Sequence, residues 1–324
     1  MAAAKPDEIR DGVPLTNLDQ PLFDAAGATK RDLVDYLDGV ADRLVPVLAD
    51  RPLSVIRVHR GQEAFMQKNV PSYAPEWIRT ITYWAETSKR EVAYALCNDR
   101  RTLLWFANQR AVEFHPTLVR LDNAGAGAGA EHVTHLVLDL DPPVYAGFAA
   151  AVQAAQVVRA TLDDLGLSGV VKTSGAKGVH IFVPVEAGTT VGDAAAATRA
   201  IAQRCAQRDP TIATTAFMKE DRGGKVFVDS TRAGAGTVAA AYSPRARAGT
   251  PVSFPLEWDD LASVSPADFT IHNALDLLAG DDPWSRQPPP RPLPRELVEE
   301  GAEVPSGRVE AMHEGRRRAR GRRS

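Results

Sequence analysis

With 324 residues, of which 44% are hydrophobic, the chain is long enough to bury a large core, as one domain or as two modules. No stretch approaches the roughly 20 apolar residues that a membrane span needs, and the first residues, MAAAKPDEIR, lack the apolar region of a signal peptide. A cytoplasmic protein without a membrane partner is therefore expected. The only cysteines, Cys97 and Cys205, argue against a disulfide framework and fit a reducing compartment.

The charge of the chain is unevenly distributed. Its net charge is −3, but residues 316–324, RRRARGRRS, contribute +6, which leaves −9 for residues 1–315. Such a basic tail is either simply solvated or touches phosphate groups without sequence specificity. If residues 1–315 bind nucleic acid, they therefore need a local basic surface of their own.

Residues 1–123 predict an α/β module. Apolar residues at helical spacing predict a helix within residues 28–48, capped by Thr29 with Asp32 at the third helical position. The β-rich stretches LSVIRV, EAFMQK, TITYWAE and VAYALC follow, and the turn at His59–Gln62 predicts a hairpin. DRRTLLWFANQ then predicts a helix, and AVEFH another strand. The first helix is predicted from Leu33, Leu37, Val40, Leu44 and Leu48.

Residues 124–132 include AGAGAGA and predict a flexible insert before a second module, residues 133–280. In that module THLVLDLD, GVVKT, VHIFVPV, KVFVD and TVAAAY predict strands, and AGFAAAVQAAQVVRATLDDL and VGDAAAATRAIAQRCAQ predict helices. The order β-α-β-β-α-β indicates an α+β fold, with one sheet and helices on one side of it. Residues 281–324, which include PPPRPLPRE, predict a Pro-rich linker and a basic tail.

Two aspartates interrupt the apolar run HLVLDLDPP. In a strand, Asp139 and Asp141 share one face, with Cα atoms about 6.6 Å apart, while Leu138 and Leu140 point into the core. Two such carboxylates can hold a pair of divalent ions for phosphoryl transfer, or they can be ordinary acids at a strand end. Asp229 ends the strand KVFVD and could supply a third metal-binding carboxylate.

A glycine-rich segment, KTSGAKGVH, follows the next predicted strand. Ser174 offers a hydroxyl group, Lys177 offers a positive charge, and the neighbouring glycines allow the backbone N–H groups to approach a phosphate. The alternative is a plain β-turn. Arg232, Arg245 and Arg247 lie in a later basic stretch, which could grip a polyanion through guanidinium groups or could simply be solvated.

The motifs together resemble a known family. HLVLDLDP, KTSGAKGVH, VFVD and YSPRAR with PVSFPLEWDDL, preceded by MQKNVP and EFHP, are similar in type and order to the polymerase domain of bacterial DNA ligase D, in the archaeo-eukaryotic primase superfamily. The resemblance covers roughly residues 14–280. It implies a primase-polymerase fold, in which an RRM-like catalytic sheet with helices is joined to the N-terminal α/β module.

The activity that this resemblance implies is template-dependent nucleotidyl transfer. A DNA primase-polymerase would extend a 3′-hydroxyl with ribo- or deoxyribonucleoside triphosphates on a primer-template, gap or overhang, using Mn²⁺ or Mg²⁺. The setting would be DNA repair, in nonhomologous end joining or gap filling. Because the chain leaves no room for ligase or nuclease domains, a stand-alone enzyme that works with an end-binding protein and a separate ligase is expected.

The resemblance also implies roles for individual residues. Asp139, Asp141 and Asp229 would be the catalytic metal ligands, and Asn17, Lys30 and Phe65 would contact DNA. The expected nucleotide-binding residues are Ser174, Lys177, Gly178, His180, His115, Arg232, Arg245, Arg247 and Lys68.

Two positions depart from the family pattern. Gln20 stands where the family usually has a lysine of the pocket for a template 5′-phosphate, so that recognition is expected to be weak. Ala64 stands beside Phe65 where a second phenylalanine is common, so one base-stacking contact is expected to be missing.

Two rival functions use the same motifs. A phosphatase of the haloacid-dehalogenase type also carries DxD at a strand end and could use Asp281 and Asp282 as later acids, but Pro142 and Pro143 replace the residues expected after its DxD. A catalytically reduced DNA-binding scaffold of the same fold is the second rival. Retention of the three aspartates and of the SGAKG loop argues against the scaffold.

Overall fold

The computed structural model describes residues 6–305, apart from residues 60, 86–88, 122–130, 235 and 281. The predicted insert at 124–132 falls largely outside these residues. Its last two residues do not belong to a flexible insert, because they lie in a strand, β9, described below. No helix of the described part of the chain combines the length and the apolar character needed to cross a bilayer.

The described residues of the N-terminal part form three helices and eight strands. They are β1 (Glu8–Arg10), β2 (Val13–Leu15), α1 (Lys30–Gly39), α2 (Ala41–Leu48), β3 (Leu53–Arg57), β4 (Phe65–Gln67), β5 (Thr80–Ala85), β6 (Arg90–Ala95), α3 (Arg100–Asn108), β7 (Ala111–Pro116) and β8 (Val119–Leu121). An antiparallel sheet has the order β4-β3-β6-β5, and β7 also pairs with β3. The hairpin predicted around His59–Gln62 is confirmed, since β3 and β4 pair antiparallel.

The helix predicted within residues 28–48 is in fact two helices, α1 and α2. The predicted cap is confirmed: the Thr29 side chain accepts from the backbone N–H of Asp32, whose carboxylate accepts from the N–H of Thr29. Helical geometry is interrupted at Val40, directly after Gly39, a residue with low helix propensity. All five apolar residues from which the helix was predicted are fully buried.

The second part contains the larger sheet. Its elements are β9 (Glu131–Val133), β10 (His135–Asp141), α4 (Gly147–Asp164), β11 (Val170–Thr173), β12 (Val179–Pro184), α5 (Val191–Arg208), β13 (Ala213–Thr214), β14 (Val226–Asp229), β15 (Pro255–Leu256), α6 (Ala274–Leu277) and α7 (Arg295–Glu303). β9 pairs with β8, and the other strands form a sheet of order β13-β14-β10-β12-β11-β15.

This sheet has the predicted order β-α-β-β-α-β. Its pairs are antiparallel except β13 with β14, and α4 and α5 lie against each other and against the strands. Leu138 and Leu140 are fully buried, as predicted, which leaves Asp139 and Asp141 on the opposite face of β10. The fold class predicted from the sequence is confirmed.

The predicted strand TVAAAY does not form. Thr237 makes one isolated bridge with Thr117, and the N–H of Ala240 donates to Phe114 of β7, so this segment is buried as irregular chain between the two sheets. Its alanines resemble a strand interior only in composition, because they carry too little side chain to select a pleated arrangement.

The predicted linker after residue 280 is also wrong for residues 282–305. A 3-10 turn covers Pro283–Arg286, and α7 packs on α5 with Leu297 buried. A side chain at Gly301 would overlap the carbonyl oxygen of Ala196, so this glycine allows the two helices to approach closely. The basic tail lies outside the described residues.

Candidate active site

Three carboxylates converge where β10 and β14 run side by side. Asp139 is the direct cross-strand partner of Asp229, and Asp141 follows two residues later on the same face of β10. Cross-strand partners have Cβ atoms about 4.5–5.5 Å apart, so this register brings the third predicted acid to the first two. Sequence patterns predicted all three acids but not their pairing.

A cleft of about 630 Å³ lies over these acids. It brings together all the metal- and nucleotide-binding residues predicted in the second module. These residues are Asp139, Asp141, Ser174, Lys177, Gly178, His180, Asp229, Arg232, Arg245 and Arg247.

Basic side chains contact each carboxylate. Arg232 lies 3.2 Å from Asp139 (Nη2–Oδ2) and 3.4 Å from Asp229 (Nε–Oδ2). Asp141 is 2.9 Å from the Lys177 ammonium group and 3.0 Å from Arg222 Nη1. Burial alone would raise the pKa of Asp139, but the interactions with His180 and Arg232 outweigh burial and lower it below its ordinary value. Asp139 is thus held in its ionised form, and basic side chains lie beside all three acids.

The donor chemistry of the three acids fits a divalent metal. Carboxylate oxygens are the ligands that Mg²⁺ and Mn²⁺ prefer. In this arrangement the oxygens are turned toward the basic side chains, and in the part of the chain that the structure describes no three acidic, histidine or cysteine side chains are grouped as a ligand cluster. Binding a metal would require the carboxylates to exchange these cations for it.

Arg222 was missed by sequence analysis. Its guanidinium group stacks 4.2 Å from the ring of Phe227 and contacts Asp141, and it also lines the cleft. The stretch EDRGGK before β14 reads as a polar turn, and nothing in that pattern indicates that one of its charges folds back onto the DxD strand.

The glycine loop closes one wall of the cleft. The Ser174 hydroxyl accepts from the N–H groups of Ala176 and Gly178, so it holds the turn together. Gly175 has a φ of +65°, and a side chain at Gly178 would overlap the carbonyl oxygen of Leu140 on β10. Both glycines are therefore required for the loop to lie against the DxD strand. Lys177 also donates to the carbonyl oxygen of Pro142.

His115 lies beside the cleft, in contact with a residue that sequence analysis missed. Glu113, on the same strand, lies 2.8 Å from His115 Nε2 and 2.9 Å from Arg245 Nε, and it accepts from the backbone N–H of Ala246. Burial would raise the pKa of Glu113, but the contacts with His115 and Arg245 lower it to about 2. A strand acid two residues before the histidine was the only sequence signal.

A third missed residue, Lys172, lies beneath the glycine loop. It is fully buried on β11, with its amino group 2.7 Å from Nδ1 of His180 and in contact with Ser253. Burial and then the charge of Lys172 lower the pKa of His180 to about 4. Burial also lowers the pKa of Lys172 well below its ordinary value. A lysine in VVKT reads from the sequence as a surface residue.

The remaining predicted residues are separate from the cleft. Lys68 is exposed after β4, and Phe65 is 38% exposed and stacks on His59 with ring centroids 5.4 Å apart. Asn17 is exposed, whereas Lys30 is buried. The Lys30 ammonium group donates to the carbonyl oxygen of Thr16 and to Asn108, each at 2.6 Å. Lys30 is thus not the surface cation that the sequence suggested.

A comparison with family models relates this geometry to known proteins. Residues 29–284 match the LigD primase-polymerase domain. The chain belongs to this family. The match agrees with the resemblance carried by the motifs, and it includes the DxD strand, the glycine loop and β14, while Asn17 and Gln20 lie before it.

Relatives of this LigD domain are similar over most of the chain. The bifunctional non-homologous end joining protein LigD of Bacillus subtilis (strain 168) is 33% identical over 268 residues, which are 81% of this chain and 42% of that protein. The multifunctional LigD of Mycolicibacterium smegmatis is 34% identical over 271 residues, 82% of this chain and 34% of the relative. The chain thus spans less than half the length of these LigD proteins.

A solved LigD structure has the same fold. The polymerase domain of Mycobacterium tuberculosis ligase D, in complex with DNA, superposes with a TM-score of 0.77 and 32% sequence identity. The likeness covers 92% of this chain and 100% of that chain. The primase-polymerase fold expected from the sequence is therefore confirmed for a member of the LigD family.

Proposed function

We propose that this chain is a DNA primase-polymerase, which extends a 3′-hydroxyl with nucleoside triphosphates in nonhomologous end joining or gap filling. The observation that carries the proposal is the cross-strand pair Asp139 and Asp229, which lies in one cleft with Asp141 and the glycine loop. Membership of the LigD family supports it.

The cleft combines the two kinds of group that phosphoryl transfer needs. Asp139, Asp141 and Asp229 would hold Mn²⁺ or Mg²⁺, which when bound would supply charge neutralisation and activation of the attacking hydroxyl group. Lys177 and Arg232 would bind the triphosphate, together with Arg245 and Arg247, which also line the cleft. Because positioning and charge neutralisation provide most of the catalysis in phosphoryl transfer, no protein nucleophile is needed.

Nucleotide binding changes the partners of the basic residues. Lys177 and Arg232 now contact the carboxylates, whereas Arg247 is exposed at the rim of the cleft. Once the acids are neutralised by a metal, Lys177 and Arg232 are free to contact phosphate oxygens without losing charge balance. The other predicted nucleotide-binding residues of the cleft, Ser174, Gly178 and His180, also line it, whereas His115 and Lys68 do not.

DNA is the proposed second substrate, as a primer-template, a gap or an overhang. The LigD polymerase domain with the same fold is in complex with DNA. Phe65 and Asn17 present exposed side chains that could contact it, but Lys30 is too buried to do so directly. An end-binding protein and a separate ligase would act in the same repair reaction.

The geometry opposes the phosphatase alternative. Asp282 accepts from the Tyr242 hydroxyl group at 2.7 and 2.8 Å and lies 3.2 Å from Arg43, and it does not line the cleft. It is therefore not a late acid that serves the DxD strand. Asp281 lies outside the described residues.

Primer extension with Mn²⁺ and nucleotides separates the three functions. The wild type is compared with Asp139→Ala and with Asp259→Ala, a matched control whose carboxylate is exposed outside the cleft. Incorporation that is abolished by Asp139→Ala and retained by Asp259→Ala is the expected result. Phosphate release without incorporation would support the phosphatase, and DNA binding without either reaction would support the scaffold.

A further inference from the structure

We propose that Lys172 is a positioning residue, which fixes the tautomer of His180 so that the ring presents its Nε2–H group to the cleft. A row of polar residues crosses four neighbouring strands of the larger sheet. Lys172 on β11 is the register partner of His180 on β12, which is the partner of Asp139 on β10, itself the partner of Asp229. Lys172, at one end of the row, is fully buried, whereas His180, Asp139 and Asp229 line the cleft.

The hydrogen atoms of this row can be assigned from Ser253. Its hydroxyl group donates to the carbonyl oxygen of Thr173 at 2.8 Å, so its oxygen accepts in the contact with Lys172. Lys172 therefore acts as a donor there, and it keeps a further N–H for its other neighbour, the ring of His180. As an ammonium group, which has three donors and no acceptor, Lys172 can only donate in both contacts.

The ring of His180 completes the chain of donors. Its Nδ1 atom lies 2.7 Å from the Lys172 nitrogen and accepts from it, which places the ring hydrogen on Nε2. Nε2 lies 3.4 Å from the carboxylate of Asp139, a group that only accepts when ionised. Donation thus runs from Lys172 through His180 toward the acids.

The consequence concerns the chemistry of the cleft. A neutral ring with its hydrogen on Nε2 donates to an anionic oxygen, whereas the other tautomer would turn a lone pair toward it. That oxygen belongs to Asp139 in this structure, and to a phosphate group when nucleotide is bound; this last step rests on the proposed function. Lys172 itself does not reach the cleft, so it acts through His180.

NMR spectroscopy can determine the tautomer of His180 directly. The full chain is labelled with ¹⁵N-histidine, and two-bond ¹H–¹⁵N correlation spectra show which ring nitrogen carries the hydrogen; the His180 signals are assigned by their loss in His180→Gln. In the wild type we expect Nε2–H and an unprotonated, hydrogen-bonded Nδ1. In Asp139→Ala we expect the same tautomer, because Lys172 remains. In Lys172→Met the Nδ1 signal should shift to that of a nitrogen without a hydrogen bond.

The outcomes are separable. An Nδ1–H tautomer in the wild type, or loss of the Nε2–H tautomer in Asp139→Ala, would overturn the inference, because Asp139 rather than Lys172 would then set the tautomer. Ser253→Ala is the matched control, since it removes the other partner of Lys172 and should leave the ring signals unchanged. If Lys172→Met does not fold, the Asp139→Ala spectrum still decides. The spectra need no catalysis, so absent primer extension would contradict only the proposed function.

Discussion

Glu113 and Arg245 form an ion pair that connects the N-terminal sheet to the lining of the cleft. The acid lies on β7 of the N-terminal sheet, and the arginine lies in a loop, lines the cleft and donates to the carbonyl oxygen of Ser174 in the glycine loop. Both side chains are largely buried, at 5% and 14% exposure, and the same carboxylate also accepts from the N–H of Ala246. The N-terminal sheet therefore helps to place an arginine of the proposed nucleotide site.

Glu113→Gln is expected to loosen this arginine. The amide keeps the size of the side chain but removes the charge that balances Arg245, and breaking a buried pair costs about 3–5 kcal/mol. We expect a loss of stability of that order in urea unfolding and a KM for nucleotide that rises more than kcat falls. Glu91→Gln, at an exposed position, is the control. Unchanged stability and KM would show that the pair contributes nothing.

Protonation of His135, a buried histidine outside the cleft, should lower the free energy of unfolding at acid pH. Its Nε2 atom lies 2.6 Å from Gln287 and its Nδ1 atom 2.8 Å from the Thr134 hydroxyl group, which itself accepts from Arg51. Burial lowers the pKa of His135 to about 4. Since the unfolded ring takes a proton near pH 6.5, stability should fall as the pH decreases from 6.5 to 4 and be unaffected by this group above 6.5.

The size of this pH effect is at most about 3 kcal/mol, because the pKa of His135 falls from 6.5 in the unfolded chain to about 4 in the folded protein and each pH unit corresponds to about 1.36 kcal/mol. Urea unfolding at a series of pH values measures it. His135→Gln should reduce the slope of the profile between pH 6.5 and 4, and the slope that remains includes the contribution of His180, whose pKa is also lowered to about 4. His272→Gln, at the surface, is the control. A profile that keeps its slope in His135→Gln would assign the effect to other groups.

The sequence predicted those parts of the site that depend on local patterns. Alternating apolar residues place Asp139 and Asp141 on one face of a strand, and the glycines of SGAKG mark a tight loop, so both features can be recognised without a fold. Glu113, Lys172 and Arg222 could not be recognised in the same way. Each makes a contact with a residue distant in the chain, which for Lys172 is Ser253, and a single charged residue in a strand or turn is normally solvated.

Contacts between distant parts of the chain also explain where the predicted fold was wrong. The prolines of PPPRPLPRE indicate a linker, but the nine residues of α7 are too few to form a stable helix alone and gain stability from packing on α5. Lys30 likewise reads as a surface cation. It is held inside by Thr16 and Asn108, and burial, then the charge of Arg110, lowers its pKa to about 8.

Gly301→Ala tests whether α7 is part of the folded unit. The added methyl group would overlap the carbonyl oxygen of Ala196, so α7 must move away from α5, at a cost of about 1–3 kcal/mol. Urea unfolding should show this loss, while Ala302→Ser, on the exposed side of the same helix, should change stability by less than about 0.5 kcal/mol. Equal stability of the two variants would mean that α7 does not rest on α5 in solution.

Recognition of a 5′-phosphate on gapped DNA should be weak, if the proposed function holds. Of the three positions implied by the family resemblance, Asn17 is exposed, Lys30 is buried, and Gln20 carries no charge and instead donates to Asn17 at 3.3 Å. Fluorescence anisotropy should therefore give affinities for phosphorylated and dephosphorylated gapped DNA that differ less than about threefold.

Gln20→Lys should raise the preference for phosphorylated DNA to about fivefold, as expected for one exposed charge contact worth about 1 kcal/mol. Gln62→Lys, an added charge at another exposed position, controls for general attraction to DNA, and raising the salt concentration should reduce the gained preference. A tenfold loss of wild-type affinity on dephosphorylation would show that the pocket works without the missing lysine.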